Sequence, residues 1–446
     1  MTPERKSSLG IAIASAVVVT FAIQTTGSAS AAPSAPTFIP TIAIQPPDPI
    51  VFAGAAMVLR AFASGALGAS AGVRWSLVGP GTLQPAGDEA LYQAPSESGT
   101  DAVIAAAQGT AASAVTVRTT KPPSAGVPLA IVTCYDSGLL DVRDARTSAR
   151  IGELTAGSQA GGIAIDARRH IALVTARDRV VALDLRTMRP LPSTPHPGAQ
   201  FSSVAQLAGG FFAVTDANAR RGDDGVLIFR VDDGGRPLLA GAARSGETPE
   251  GIAASRDGRA FYVTQVNDNS LARYGFDGRG TARLTKSVRT GPRPFDVALD
   301  ERDGLAFVTD NDTPYLSGVH ARPGLEMFEL ASLERRGHAV STGSGDALPL
   351  GVAVDETLRE VFVTNEGDAT VAAYRIPTMQ RISTWPTGLT PWLPTIDQRR
   401  HLLFVPSARG DEVRVFDTRA RLAQPVRFGT CSYPTAVAIA DGGFNP

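Results

Sequence analysis

Residues Pro349–Ile376 read PLGVAVDETLREVFVTNEGDATVAAYRI, three short apolar runs separated by turn-forming residues. Gly351–Asp355 is apolar and β-branched and ends in a polar turn. Glu360–Thr364 stops at Asn365-Glu366-Gly367-Asp368, and Thr370–Arg375 follows. Alternating apolar residues bounded by Gly, Asn and Asp are the signature of strands joined in hairpins. Such a unit buries only part of its apolar surface alone, so the pattern predicts repetition.

The repetition is present. The dipeptide that ends the second run recurs as Val132-Thr133, Val174-Thr175, Val214-Thr215, Val263-Thr264, Val308-Thr309 and Val363-Thr364, with Val405-Pro406 as a seventh copy. Spacings between the second residues are 42, 40, 49, 45, 55 and 42, the period of four-stranded propeller blades. Fifteen residues before six of these anchors stand Ala160, Gln200, Pro249, Pro294, Pro349 and Pro391, each opening a first strand. A constant offset inside a wandering period describes a rigid hairpin with variable loops elsewhere.

Thr133 breaks the rule, because Arg118 lies fifteen residues before it, beyond a Lys-Pro-Pro-Ser segment. The missing first strand is found at the other end of the chain, as Tyr433–Ile439, with no second strand after it. The C-terminus is therefore expected to complete the blade that begins near Val127. Closure of this kind removes two exposed sheet edges. Six complete units and one split unit predict an all-β, seven-bladed β-propeller over residues 127–446.

The motif Pro-x-Gly-Val-Ala-Val-Asp, then Val-Phe-Val-Thr-Asn, then Thr-Val-Ala-Ala-Tyr resembles the YVTN repeat family of exported bacterial and archaeal β-propellers. Tyr262-Val263-Thr264, Phe307-Val308-Thr309-Asp310 and Phe362-Val363-Thr364-Asn365 are the nearest copies. The resemblance implies the fold over about 320 residues; the family is a scaffold with many uses.

The 446-residue chain is 43% hydrophobic and 19% charged, with a net charge of −1. A near-neutral balance gives no electrostatic ground for nucleic acid or anionic membrane as a partner. Residues 1–31 read as a signal peptide: Arg5 and Lys6, an apolar run Ile11–Ile23, then Ala29-Ser30-Ala31 as a small-residue cleavage site. The run is short for a bilayer span, so no stable membrane span is expected after cleavage, and the mature protein is expected to be periplasmic, secreted or at the cell surface. Residues 32–37 are a spacer. Residues 38–120 have shorter strands and resemble the bacterial Ig-like β-sandwich through Val73-Arg74-Trp75-Ser76-Leu77 and Tyr92-Gln93-Ala94-Pro95, with Trp75 expected to face the core. Residues 121–126 form a linker.

Cys134 follows the first anchor and Cys431 lies three residues before Pro434, where the closing strand starts. In an antiparallel hairpin these positions share one rim. In an oxidising compartment they predict a disulfide that locks the ring, the alternative being two unpaired thiols.

If first strands line the channel, the residues just inside the Pro-equivalents form its mouth: Gly161, Phe201, Glu250, Phe295, Leu350, Trp392 and Thr435. With Arg293, His320 and Arg322 from neighbouring loops, Phe201, Glu250, Phe295 and Trp392 are the candidate ligand-binding residues. The same aromatics can instead plug the funnel by packing on one another. Loop acids such as Asp223, Asp268, Asp310 and Asp368 are spread over several blades without EF-hand spacing, which favours turn chemistry over calcium. No Gly-x-Ser-x-Gly or His-Glu-x-x-His motif occurs, and no metal, cofactor or catalytic residue is assigned. Two functions remain in view. One is a non-catalytic exported module binding a protein, glycan or small ligand of the cell envelope at the mouth. The other is a hydrolase similar to seven-bladed lactonases, built around Glu250, Arg293, His320 and Arg322.

Overall fold

A computed structural model describes residues 41–64, 72–108, 110–312, 324–421 and 425–441. The expected signal peptide and spacer, and the site candidates His320 and Arg322, lie outside the described residues. What is described is all-β, with 56% strand and 2% helix.

The diagnostic stretch folds as an antiparallel sheet of Pro349–Asp355, Glu360–Asn365, Thr370–Arg375 and Gln380–Pro386. Val352 pairs with Val363, and Thr364 with Val371. All residues of the first two strands are buried, whereas the fourth is mostly open to solvent. The gradient has a simple cause. A sheet covered on both faces by neighbouring sheets needs apolar residues at successive positions rather than at alternate ones, and its outer edge does not.

The innermost strands follow one another in contact: Pro434–Ala440, Ile163–Asp166, Phe201–Leu207, Pro249–Ala254, Pro294–Asp300, Pro349–Asp355 and Thr395–Asp397, the last touching Pro434–Ala440 again. Pro434–Ala440 pairs with Leu129–Cys134, placing Val437 opposite Val132 and Ile439 opposite Ala130. The C-terminal strand thus completes the sheet begun by the chain's middle, as the sequence predicts.

The anchor threonines explain why the Val-Thr dipeptide recurs. Each is fully buried, and each hydroxyl donates to a carbonyl of the next innermost strand. Thr175 reaches Ser202 O at 2.8 Å, Thr215 Glu250 O at 2.7 Å, Thr264 Phe295 O at 2.7 Å, Thr309 Leu350 O at 2.6 Å and Thr364 Trp392 O at 2.8 Å. The same oxygens accept an N–H from their own sheet, as from Gly251 to Thr264 at 2.9 Å. A side chain the size of valine thereby latches adjacent sheets together. Close approach is also needed there, since a Cβ on Gly251 would lie 2.6 Å from Phe295 O. Replacing Thr264 by Val keeps the volume but strands Phe295 O and Gly251 N–H. The expected loss is about 1–3 kcal/mol in urea unfolding. A change within about 0.3 kcal/mol, the scatter of independent sites, would show that the latch contributes nothing.

Residues 41–120 form two further sheets. Thr41–Gln45, Ala56–Ser64, Glu89–Gln93 and Thr82–Ala86 make one. The other runs Ile50–Phe52, Ser113–Thr120, Gly99–Ala106, Arg74–Val78, and continues the sheet of Leu129–Cys134 edge to edge. The joint is parallel, with Val51 opposite Glu153 on one side and Thr119 on the other. Phe52, Met57, Leu59, Tyr92, Val103 and Val117 are fully buried in the core. Trp75 is half-buried and packs against this core with Leu77, as expected, while Arg74 and Ser76 point outward; its Nε1–H donates to Gly87 O at 3.1 Å.

Candidate functional site

A backbone device repeats at the mouth. The residue ahead of an innermost strand takes a left-handed conformation at Gln159, Thr248, Arg293, Leu348, Thr390 and Tyr433, with φ between 49° and 59°. Non-glycine residues enter this region at a cost of about 1–2 kcal/mol. Here the cost is offset by a bond to the neighbouring strand's end: Arg293 O accepts Asn311 N–H at 2.9 Å, Leu348 O accepts Glu366 N–H at 3.0 Å, and Tyr433 O accepts Tyr135 N–H at 2.8 Å. Four residues that no sequence motif singles out (Tyr135, Glu366, Asn311 and Tyr433) therefore stand beside the predicted ones.

Four rings form a chain around part of the mouth. Phe295 meets Trp392 edge to face at 6.2 Å, Trp392 meets Tyr433 at 6.0 Å, and Tyr433 meets Tyr135 at 6.0 Å. All four are half-buried, and Trp392 Nε1 is buried with no hydrogen-bond partner among the described residues. Burial pushes both tyrosine hydroxyls above their ordinary pKa; Arg177 opposes this at Tyr135, and Arg409 opposes it at Tyr433.

The polar part is built around Glu250, which accepts a hydrogen bond from Ser202 Oγ. Burial pushes its carboxyl up to about 7, against the pull of Ser202 and the Arg293 charge. Arg293 Nε is itself buried without a hydrogen-bond partner. One residue along from the Phe295 position, Asp296 accepts Val352 N–H and Val297 N–H, each at 2.9 Å. Burial nevertheless pushes its carboxyl up to about 7 as well. Both carboxyl groups keep part of their surface open. The site offers flat apolar faces, an unused indole N–H, and an acid poised near neutrality beside a guanidinium.

Of the predicted residues, Glu250 and Arg293 are together, and Phe295 and Trp392 are together. Phe201 is not a mouth residue. It is 5% exposed and packs edge to face on Phe229 at 6.0 Å, opposite Asp216 in the register. That is the place a proline occupies in other sheets, as Pro249 does opposite Gln265. The offset to the anchor is one residue shorter in this sheet, and Ser202 stands at the mouth instead. His401 is 5% exposed, with Nδ1 2.7 Å from Asp355 Oδ2. The repeated acids Asp166, Asp355 and Asp397 accept amides of the turns that follow them, for example Thr357 N–H and Leu358 N–H on Asp355 Oδ1. Among the described residues no group of three or more His, Cys, Asp or Glu is arranged to hold a metal ion.

No family model matches the sequence, and no curated protein does. Among solved structures, the chain is similar to a putative 6-phosphogluconolactonase from Bacteroides fragilis, with 13% identity, 72% of this chain and 100% of that one covered, and a TM-score of 0.58. It is also similar to a protein from Lactobacillus plantarum, with 13% identity, 70% and 99% covered, and a TM-score of 0.59. A third is hydrazine synthase of Kuenenia stuttgartiensis, with 14% identity, 66% and 97% covered, and a TM-score of 0.53. Such neighbours are β-propeller proteins, and at this identity the likeness shows the fold: the chain carries a β-propeller.

Proposed function

We propose that this chain is an exported, non-catalytic seven-bladed β-propeller of the YVTN type whose mouth binds a glycan or another small polar ligand. The arc of Tyr135, Tyr433, Trp392 and Phe295, with an unpartnered indole N–H, carries the reading. Aromatic faces hold the apolar side of a sugar or planar ligand, while a few polar groups fix its orientation. Here those groups are Glu250, Ser202 and Arg293. The succession of innermost strands that returns to Pro434–Ala440 supports seven blades around one axis. The disulfide and the apolar leader sequence support an oxidising compartment outside the cytoplasm. Residues 38–120 serve, in this reading, as an Ig-like spacer.

A hydrolase reading is kept because one observation favours it. Glu250, with a pKa of about 7 and bonded to Ser202, has the poise of a general acid–base. The name of the Bacteroides protein adds lactones as the substrate class to try. Screening the protein on a glycan array and a lactone panel separates the two. Expected are glycan binding that Trp392→Ala weakens about tenfold or more, the equivalent of 1.4 kcal/mol of stacking, and no lactone turnover above blank. Turnover that Glu250→Gln abolishes would replace the binding reading with the hydrolase one.

A further inference from the structure

A cavity of about 780 Å³ lies off the mouth, between the N-terminal sheets and the connections around the disulfide. Its N-terminal wall carries an apolar strip of Pro46, Pro47, Val58 and Phe62, the last 56% exposed, beside the Arg60–Glu89 pair. Its opposite wall is charged. The three guanidiniums that line the cavity are already committed: Arg60 to Glu89 at 2.7 Å on the N-terminal side, Arg143 to Asp141 Oδ2 at 2.8 Å and Arg150 to Glu153 at 2.5 Å on the other. Asp48, also in the lining, is paired with Arg118 at 2.8 Å.

Two further carboxylates, Asp136 and Asp411, both exposed at the cavity's rim, have no ion-pair partner among the described residues. Both line the cavity, and burial, followed by the Asp411 charge, raises the Asp136 carboxyl above its ordinary pKa. Deeper, Asp141 is 1% exposed, yet its Oδ1 has no hydrogen-bond donor and lies 4.0 Å from Arg150 Nε. Ser137 Oγ, also in the lining, is buried and unbonded. A buried carboxylate oxygen without a donor is costly unless something fills the place. The cavity therefore combines excess negative charge, a buried and underpaired carboxylate in its floor, and an apolar strip.

We propose that this cavity binds a small organic cation, its ammonium or guanidinium head on Asp136 and Asp411, above the buried Asp141 carboxylate, and its apolar body against Phe62 and Val58. A bare divalent ion is a poorer match. It needs six or more oxygens around one point, and the aliphatic and aromatic wall supplies none. The proposal does not rest on the mouth reading.

The test is titration calorimetry of the full mature chain with 2-phenylethylamine, its neutral isostere 2-phenylethanol, and calcium chloride. The amine is expected to bind and to weaken as salt is raised, with the alcohol about tenfold weaker or worse. Asp136→Asn with Asp411→Asn is expected to cost at least about tenfold in amine affinity. Asparagine keeps the oxygen that accepts Tyr433 N–H and tolerates the left-handed backbone of Asp411, so an unchanged melting profile is expected. Trp392→Ala, at the mouth, should leave amine binding unaltered. No amine binding, equal binding of the alcohol, full affinity in the double variant, or calcium displacing the amine would each overturn the proposal.

Discussion

Replacing Cys134 and Cys431 by serine is expected to lower unfolding stability by about 3–5 kcal/mol. The structure joins the two sulfurs, with Cα atoms 5.8 Å apart and a sequence separation of 297. Chain-entropy reasoning assigns a cross-link over so long a loop about 5 kcal/mol, an upper figure because unfolded chains retain structure. Position adds to length. Cys134 is fully buried opposite Pro434, where the closing strand begins, so the bond clamps the seam most able to open. Without it, Pro434–Ala440 is held to Leu129–Cys134 by strand pairing, the threonine bonds and the packing of Val437 and Ile439. Urea unfolding of the oxidised parent and the double-serine variant measures the difference. Limited proteolysis of the reduced protein should cut first in the C-terminal strand. A difference below about 1 kcal/mol, with unchanged proteolysis, would mean the ring is closed by packing and the bond is incidental.

The ring was legible in the sequence because its repeating part is local. The hairpin from Pro349 to Asn365 is set by residues within sixteen positions, and the threonine that latches the next sheet lies at its fixed end. The cysteine pair was legible for the same reason, since both positions could be placed on one hairpin. What escaped was set by neighbours remote in sequence. Tyr433 and Tyr135 meet across 298 positions, and neither lies at the position from which the mouth was read. Asp296 is distinguished by Val352 N–H, a contact between two sheets that no periodicity encodes. The shift at Phe201 arose because an aromatic fills a proline's place, and only the pairing with Asp216 reveals it. Ile50–Phe52, three residues among prolines, is a strand because two edges flank it, one from Arg150–Thr155 and one from Ser113–Thr120.

Between about pH 5 and pH 8 the protein is expected to lose stability as pH rises, the opposite of ordinary acid denaturation. Glu250, Asp296 and Glu153 are each pushed up to about 7 by burial. Asp310 is held well above the usual carboxyl range by burial and the Glu326 charge, and Glu326 is raised by burial. Unfolded, such groups titrate near 4. Across the window between those values the native state holds more protons than the unfolded chain, so stability falls with pH. The contribution is complete below about pH 4 and is lost as pH passes the folded values. Groups shifted the other way, Asp144 beside Arg146 and Asp257 beside Ser255, titrate lower and act below the window. A fully buried carboxyl moved by three units would contribute about 4 kcal/mol. Glu250 and Asp296 keep part of their surface open, which reduces each to roughly 1 kcal/mol once solvent screening is allowed for. Urea unfolding at intervals from pH 5 to 8 should show a decline of a few kcal/mol in the parent. In Glu250→Gln with Asp296→Asn the decline should be shallower by roughly 2 kcal/mol, because the amides stand in for the protonated acids. A parent stability that rises through this window would place these carboxyls in water, and with them the dry, near-neutral acid at the mouth on which both functional readings draw.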